Sequence, residues 1–318
     1  MKKSLLKITL VLIAIVTFSC SSDDDSNQPT SNTIVDFVAA NSNYSSLGAA
    51  LERAGLTSAL NGTTNYTVFA PNNDAFSAFL TANGFASLND VPVDILQQVL
   101  LNHVVAGVNL SSSLSTGYVK TLAQEPTTQN TIDMYINTSS GVLINGDVSV
   151  TAADIQVDNG VIHAVNKVIG LPTVVTFATS DATFSTLVAA LTADAGFGYV
   201  STLMTTSSPA PFTVFAPTNG AFGDLLTELG ASGLGDIPVD VLAATLNTHV
   251  VGGANVLSTA LTNNMTVNTL GDSFTINLGS GASFTDQNGR TGNIIVTDVQ
   301  AYNGVVHVID KVILPNLN

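Results

Sequence analysis

The segment NGVIHAVNKVI, from Asn159 to Ile169, returns as NGVVHVIDKVI from Asn303 to Ile313, 144 residues further along the chain. Its Asn-Gly pair between apolar runs is a strong signal for a β-hairpin, because both residues tolerate a positive φ. A repeat of about 145 residues far exceeds the period of a solenoid and matches the size of a whole domain. The segment therefore indicates a chain that contains one domain in two copies.

A second block recurs near the front of each copy. YTVFAPNNDAF, from Tyr66 to Phe76, corresponds to FTVFAPTNGAF, from Phe212 to Phe222. The apolar run predicts a short buried strand that stops at Pro71 or Pro217. The residue after each proline, Asn or Thr, can accept hydrogen bonds from free backbone N–H groups and is predicted to cap a helix.

A third block lies between these two. VPVDILQQVLLNHVVAG, from Val91 to Gly107, corresponds to IPVDVLAATLNTHVVGG, from Ile237 to Gly253. Proline suits the first turn of a helix, and the acid two residues later favours the positive end of that helix. The pattern predicts a helix that runs into His103 or His249 and then an extended segment.

The distribution of these elements predicts an α+β fold in each copy. Apolar residues at helical spacing fill the N-terminal half, and Thr-, Val- and Ile-rich segments divided by Gly and Asn predict an antiparallel sheet system in the C-terminal half. We assign residues 33–172 to the first domain and residues 173–318 to the second. Because almost no linker separates them, we expect the two domains to be held in a restricted relation.

The first nineteen residues have the pattern of a targeting segment. Three lysines precede an apolar run from Ile8 to Val16, which is typical of a secretory signal peptide and too short for a membrane-spanning helix. Ser19 precedes Cys20, the single cysteine of the chain, and this junction resembles a bacterial lipoprotein cleavage site. We expect residues 1–19 to be removed and Cys20 to carry lipid. The alternative is an ordinary signal peptide with a cysteine there by chance.

Residues 20–32 form an acidic tether rich in Ser, Asp and Asn. Its run from Ser21 to Asn27 resembles the acidic export tag of surface lipoproteins in some Gram-negative bacteria; the alternative is a solvated tail. With Cys20 used for lipid, no internal disulfide can form. Each domain must then be held by its apolar core, which about 140 residues can supply.

The charge of the chain excludes one class of partner. Without residues 1–19 the chain has 5 basic and 23 acidic residues, a net charge of −18. Nucleic acid is therefore not expected as a partner, and membrane contact is expected only through the Cys20 lipid. Only 10% of the residues are charged, against a usual value of about 25%. Such a surface suits contact with proteins or neutral glycans.

The three blocks, in this order and in both copies, resemble the fasciclin domain. The resemblance extends from Thr33 to Leu317. It implies a β-sandwich or wedge packed with helices from the N-terminal half, and a role in cell-surface or extracellular adhesion without cofactors. One feature departs from the family. Animal members that bind integrins have a Tyr-His pair at the central block, whereas Asn102 and Thr248 precede the histidines here. The integrin-type contact is therefore not carried over.

The four histidines are the natural candidates for catalysis or metal binding. His163 and His307 are flanked by aliphatic residues on a strand face. His103 and His249 lie at a helix–strand junction, where imidazole commonly satisfies backbone groups. We therefore interpret the family-motif residues as structural. They are His103, His163, His249, His307, Asn159, Gly160, Asn303, Gly304, Pro71 and Pro217.

The acidic residues show no shared catalytic pattern. Asp74 of the first copy faces Gly220 of the second, so it serves no chemistry common to both. Asp154 and Asp298 do occur in both, and are predicted to begin a hairpin and hold a turn. The sequence also lacks metal-ligand spacing, a GxSxG elbow and phosphate or dinucleotide loops. We expect a protein that is not an enzyme and needs no cofactor or metal.

These features predict a lipid-anchored envelope protein with duplicated binding surfaces. We expect an outer-membrane lipoprotein at the cell surface that mediates adhesion or matrix contact by binding surface or matrix proteins or glycans. One alternative is a surface glycan-binding accessory lipoprotein, although the chain has no Trp and only six Tyr to provide aromatic platforms. Another is a structural periplasmic lipoprotein that faces inward.

Overall fold

A computed structural model of the protein describes residues 31–279 and 281–316. The predicted signal peptide, Cys20 and residues 21–30 of the predicted tether lie outside the described residues. From Asn32 onward the chain forms one compact unit. This unit contains two domains, each built from helices and a seven-stranded mixed sheet. The predicted α+β class is therefore confirmed.

In domain 1 the helices precede and flank the first strands, as the apolar spacing predicts. The helices are α1 Ile34–Ala40, α2 Ser45–Arg53, α3 Thr57–Leu60, α4 Asn73–Ala82 and α5 Val93–Leu101. The strands are β1 Tyr66–Pro71, β2 Val104–Ala106, β3 Gly117–Gln124, β4 Thr131–Asn137, β5 Leu143–Ile144, β6 Val148–Val157 and β7 Gly160–Val165.

Domain 2 repeats this order. Its helices are α6 Val174–Ser180, α7 Ser185–Leu191, α8 Tyr199–Leu203, α9 Asn219–Leu229 and α10 Val239–Asn247. Its strands are β8 Phe212–Pro217, β9 Val250–Gly252, β10 Thr266–Val267, β11 Phe274–Leu278, β12 Ala282–Thr285, β13 Thr291–Ala301 and β14 Gly304–Ile309. Among the described helices none alone is long and apolar enough to span a membrane; only the bent pair Val174–Ser180 and Ala182–Leu191 passes by length and composition.

The antiparallel sheet system predicted for the C-terminal half of each domain forms, and a strand from the N-terminal half joins it. The strand order is β2-β1-β7-β6-β5-β4-β3 in domain 1 and β10-β11-β12-β13-β14-β8-β9 in domain 2. Within these sheets β1 pairs parallel with β7, and β8 pairs parallel with β14. The sequence did not predict this parallel pairing, by which the front strand of each domain joins the last strand and lies inside the sheet.

Each domain has two apolar cores, one on either side of its central strands. In domain 1 the first core lies between the helices and the sheet and contains Phe76, Leu96 and Ile162. The second lies between the β1–β7 end of the sheet and strands β3 to β5, and contains Phe69 and Met134. The sheet is thus folded over on itself with helices against its outer face. This arrangement matches the expected sandwich or wedge packed with helices.

The terminal hairpins form, but the turn lies one residue earlier than the Asn-Gly signal implies. Val157 pairs with Gly160, so Asp158 and Asn159 are the two turn residues. Only the glycine has a positive φ, of 150°. A Cβ at Gly160 would lie 1.9 Å from the Tyr66 carbonyl oxygen, so glycine is required because strand β1 passes directly beside it.

The two domains share a buried polar contact. Asp133 of β4 is buried, with 4% of its surface exposed. It accepts hydrogen bonds from Lys120 Nζ at 2.7 Å and from the Gln300 backbone N–H of β13 at 2.6 Å. Beside it, Tyr118 donates to the Asp181 carboxylate at 3.1 Å and packs edge-to-face on Phe177. These contacts hold the domains together, as the absence of a linker predicts.

Candidate functional site

The central histidines connect the α5 and α10 helices to the last segment of their domains. His103 Nδ1 lies 2.7 Å from the Val99 carbonyl oxygen, and the Ile169 N–H donates to Nε2 at 2.8 Å. His249 repeats the pattern with the Thr245 carbonyl oxygen and the Ile313 N–H. In both rings one nitrogen donates and the other accepts, which is the hydrogen-bonding state of a neutral imidazole.

Burial keeps these two rings neutral. His103 is 2% exposed and His249 is 3% exposed. Desolvation lowers the pKa of each to about 4, although the hydrogen bond to a backbone carbonyl partly opposes the shift. A neutral ring with both nitrogens bonded to backbone has no lone pair or proton available for a substrate.

The second pair of histidines holds a loop on the far side of the sheet. His163 Nε2 donates to the Asn109 carbonyl oxygen at 2.9 Å, and the Asp154 N–H donates to Nδ1 at 3.2 Å. His307 makes the same contacts with Val256 and Asp298. Both residues are fully buried, and burial lowers the pKa of His307.

Asp154 helps His163 to hold the loop, and its position in the strand differs from the predicted one. It does not begin a hairpin but lies inside β6, at an irregularity in the pairing with β7, and has a φ of 62°. Its carboxylate accepts from the Ser111 N–H at 2.7 Å and from Ser111 Oγ at 2.5 Å, and these bonds lower the pKa of Asp154. Asp298 bonds to Ser258 in the same way. The left-handed bulge aims the carboxylate at a distant 3₁₀ turn rather than at its own hairpin.

The resulting Ser111–Asp154–His163 cluster has the composition of a catalytic triad but not its connectivity. In a triad, the histidine accepts the serine proton and the aspartate orients the histidine. Here the serine hydroxyl donates to the aspartate, and both histidine nitrogens bond to backbone atoms. Within the described residues, no group of three or more His, Cys, Asp or Glu side chains could hold a metal ion.

The hairpin asparagines tie the end of each sheet to the first helices. Asn159 is 2% exposed. Its Nδ2 donates to the Leu60 and Gly62 carbonyl oxygens at 2.7 and 2.9 Å, and its Oδ1 accepts from the Ile34 N–H at 2.9 Å. Asn303 makes the equivalent three bonds in domain 2. One side chain therefore satisfies three backbone groups at helix ends.

The prolines end the central strands, and the predicted caps follow them. Pro71 and Pro217 are the last residues of β1 and β8. Asn72 then accepts from the Ala75 N–H at 2.9 Å, and Thr218 caps α9 in the same manner. The helix caps predicted from the sequence are confirmed.

The side chains of the motif histidines and asparagines thus bond to backbone groups of their own domain. Phe69 lies between the two histidines of domain 1, since its N–H donates to the His103 carbonyl oxygen and its ring centroid is 5.4 Å from that of His163. The two histidines therefore lie on either side of Phe69 and line no open site together. That their role is purely structural stays a prediction. The sequence reasoning missed Ser111 and Ser258, since nothing local marks them as partners of a residue in a later strand.

The exposed surface offers a different kind of site. Nine large apolar side chains are exposed in the described part of the chain, and Val93 and Val239 are the one pair at matching positions of the two domains. Val93 is 46% exposed and Val239 is 49% exposed. Each lies between an exposed proline and an exposed aspartate, at the start of α5 or α10. We call these Pro-Val-Asp segments, residues 92–94 and 238–240, the paired epitopes.

The chain as a whole has more acidic than basic side chains. All five basic side chains of the described part make hydrogen bonds or ion pairs within the fold: Arg53, Lys120, Lys167, Arg290 and Lys311. Arg53 donates to the Asn89 and Val91 carbonyl oxygens, which are neutral, so its positive charge lies beside the first epitope. A partner therefore encounters a sparse, mostly negative field interrupted by small apolar spots.

Comparison with known proteins gives the family. A model of the fasciclin domain matches residues 42–172 and 182–315. Protein sll1483 from Synechocystis is 35% identical over 137 residues, covering 43% of this chain and 72% of that protein. Uncharacterized protein sll1735 from the same organism is 37% identical over 145 residues, covering 45% and 98%.

A longer relative and a solved structure match both domains. Transforming growth factor-beta-induced protein ig-h3 from Oryctolagus cuniculus is 30% identical over 260 residues, which is 81% of this chain but 36% of that protein. A solved fasciclin domain pair from the insect cell adhesion molecule fasciclin I covers 88% of this chain and 98% of its own, with 19% identity and a TM-score of 0.50. The chain belongs to the fasciclin domain family and contains two copies of the domain.

Proposed function

We propose that this protein is a lipid-anchored protein of the bacterial envelope, displayed at the cell surface, where it mediates adhesion or matrix contact by non-catalytic binding. Adhesion is the role that the fasciclin resemblance implies. The observation that carries the proposal is the pair of epitopes, because the same exposed Pro-Val-Asp segment occurs in both domains. Two identical sites on one compact unit would bind a repetitive partner more tightly than either site alone.

The epitopes suit protein recognition for chemical reasons. Each combines an aliphatic side chain with a rigid proline and a carboxylate, at the first turn of a helix. An exposed valine gains from leaving water on binding, whereas its removal changes the free protein little. Function can therefore be separated from stability at these positions.

Replacing both valines, Val93→Ser with Val239→Ser, is expected to lower attachment of cells to a matrix-coated surface at least tenfold. Each single replacement should leave partial attachment, because one epitope still binds and only avidity is lost. Val108→Ser is the matched control, since Val108 is 50% exposed and domain 2 has an asparagine, Asn255, at the matching position. Equal attachment by the double variant and the wild type would overturn the role of the epitopes.

The membrane anchor is proposed from Cys20 and the acidic tether that follows it. Cys20→Ser is expected to move the protein from the membrane to the soluble fraction, because a non-lipidated chain has lost its acyl anchor. Membrane fractionation and mass spectrometry of the processed N-terminus check this. A Cys20→Ser protein that stays membrane-bound contradicts the anchor. Protease treatment of intact cells tests display, and full protection would favour the inward-facing periplasmic alternative.

One observation favours the glycan-binding alternative. In domain 2, Tyr199 and Asn247 line a cavity of about 240 Å³ together with Thr202 and Leu270. An aromatic ring, an amide and a hydroxyl around a neutral hollow are groups that can contact a sugar. Binding of the purified protein to a glycan array, lost in Tyr199→Ala, with no effect of the paired-epitope variants on attachment, would replace the adhesion proposal with glycan capture.

A further inference from the structure

The two domains fill the space between the folded halves of their sheets differently. In domain 2, Phe274 packs edge-to-face on Phe215 at a ring-centroid distance of 4.9 Å, and Phe284 packs on Phe274 at 5.8 Å. In domain 1 the corresponding space contains a cavity of about 90 Å³ beside Phe69. We call this cavity the slot. Five of its nine lining residues are apolar, and the other four carry a hydroxyl or an amide: Thr67, Asn109, Ser113 and Ser115.

The pairing of the strands shows which residues correspond. Met134 pairs with Val119 in domain 1, as Phe274 pairs with Val267 in domain 2. By the same criterion Ile144 corresponds to Phe284, because each pairs with the isoleucine of the preceding strand. Domain 1 therefore has a methionine and an isoleucine where domain 2 has two phenylalanines. Smaller side chains in a packed core leave space that the surroundings only partly close.

The surrounding residues show that this space opens to solvent. Val119 and Leu114 of domain 1 are only half-buried. Val267, which matches Val119, is 7% exposed, and Leu261, which follows the matching 3₁₀ turn, is 5% exposed. The same positions are thus sealed in domain 2 and open to solvent in domain 1.

We propose that the slot of domain 1 is a binding site for a small, neutral, branched aliphatic group. Its floor is apolar, formed by Phe69, Val105 and Ile136, and its rim carries the Asn109 and Ser113 side chains. No charged residue lines it. At about 90 Å³ it is smaller than the apolar cavity of about 150 Å³ that admits benzene, so it has room for only a few carbon atoms. This site is separate from the paired epitopes.

The rim is held in place before any ligand arrives. The Asn109 carbonyl oxygen accepts from His163, and its Nδ2 donates to Thr67 Oγ1 at 3.1 Å. The Asp154 carboxylate fixes the 3₁₀ turn Ser111–Ser113 that borders the opening. A preformed opening avoids the ordering cost that a mobile loop would add to binding.

Titration of the full chain with 2-methylpropan-1-ol, followed by methyl NMR, tests the proposal. We expect saturable shifts at Val105 and Ile136 with a millimolar Kd, because the gain comes from burying a few carbon atoms. Val251 and Ile276, the matching residues of domain 2, are the control in the same spectrum and should not shift. Equal shifts in both domains or a lack of saturation would each overturn the proposal.

The second test gives each domain the residue that the other has at this position, Met134 in domain 1 or Phe274 in domain 2. Met134→Phe is expected to weaken binding at least tenfold, and Phe274→Met to create new shifts at Val251 and Ile276. If Met134→Phe does not fold, the gain of binding in Phe274→Met still decides the matter. Retained binding in a folded Met134→Phe protein, or no gain in Phe274→Met, contradicts the assignment.

The chemistry of the slot fits either a free small molecule or a leucine-like side chain of a protein. N-acetyl-leucinamide distinguishes these sources when titrated in parallel with the alcohol. Tighter binding of the amide assigns the slot to a protein side chain, and tighter binding of the alcohol assigns it to a free ligand. Val93→Ser with Val239→Ser should leave both titrations unchanged, so failure of the adhesion proposal and failure of this one give different results.

Discussion

Replacing Asn159 by alanine is expected to destabilise domain 1 by about 3–5 kcal/mol, since each buried backbone group left without a partner costs about 1–3 kcal/mol. The alanine would remove the acceptor of the Ile34 N–H and both donors to the Leu60 and Gly62 carbonyl oxygens. Ile34 and Leu60 are buried, so water cannot readily replace the amide. Asn303→Ala should have the same effect on domain 2.

Hydrogen exchange followed by mass spectrometry measures this effect for each domain separately. We expect Asn159→Ala to increase exchange mainly in residues 32–172 and Asn303→Ala mainly in the second domain. Asn43→Ala is the matched control, because Asn43 is exposed and exposed substitutions usually change stability by less than about 0.5 kcal/mol. Asn159→Asp keeps the acceptor but loses both donors, and should also destabilise. A loss below about 1 kcal/mol for Asn159→Ala would contradict the stated role of the amide, given the cost per group.

Acidification from pH 7.5 to pH 5 is expected to remove about 4 kcal/mol of stability through His103 and His249 together, or about 2 kcal/mol each. The pKa of both is lowered by burial to about 4 in the folded protein, from an ordinary 6.5. The unfolded chain therefore binds more protons than the folded chain between pH 6.5 and 4. Stability is fully present above pH 6.5 and falls as the pH decreases through this window.

Other groups modify this dependence in known directions. The lowered pKa of His307 adds to the loss on acidification. Burial raises the pKa of Asp133 despite the adjacent Lys120, so protonation of that carboxyl opposes the loss. The carboxyls of Asp154 and Glu228 have a lowered pKa and lose their contribution at lower pH.

Urea unfolding at a series of pH values checks the prediction. In the His103→Asn/His249→Asn double variant the mean slope between pH 6.5 and 5 should decrease by about 2 kcal/mol per pH unit, since each group contributes about 1 on average and at most about 1.4. Proton NMR of the two wild-type imidazoles should show no titration above pH 5. A stability that is flat from pH 7.5 to 5 would exclude a neutral, buried state of these rings.

Local signals in the sequence were sufficient for the elements and for some of their ends. Asn72 and Thr218 follow a strand and a proline, and both cap helices as predicted. The sequence also predicted where the hairpin lies. Its turn is Asp158–Asn159 and not Asn159–Gly160, because the backbone of β1 passes so close that residue 160 must be a glycine within the strand. Such features depend on neighbours within a few residues, which a sequence displays directly.

Contacts between distant segments were not readable in the same way. The parallel pairing of β1 with β7 joins Tyr66 to Gly160, and no local pattern distinguishes this pairing from an antiparallel one. Likewise Ser111 meets Asp154 only because a bulge in β6 turns the carboxylate toward it. The paired epitopes and the slot were also not readable, because the exposure of a side chain is determined by the segments of the folded chain that pack against it.

The order of the residues is enough to establish that one fasciclin domain occurs twice, because the motif at Asn159 returns at Asn303 with its histidine. Periodicity and caps then predict the helices, since these reflect short-range sterics and hydrogen bonds. The folded chain was needed to reveal that the four histidines bond to backbone groups and that Val93 and Val239 are both exposed. The same holds for the cavity beside Phe69 and for the packing of Phe274 on Phe215. Burial and packing arise from residues brought together across the whole chain, so they exist only once the chain has folded.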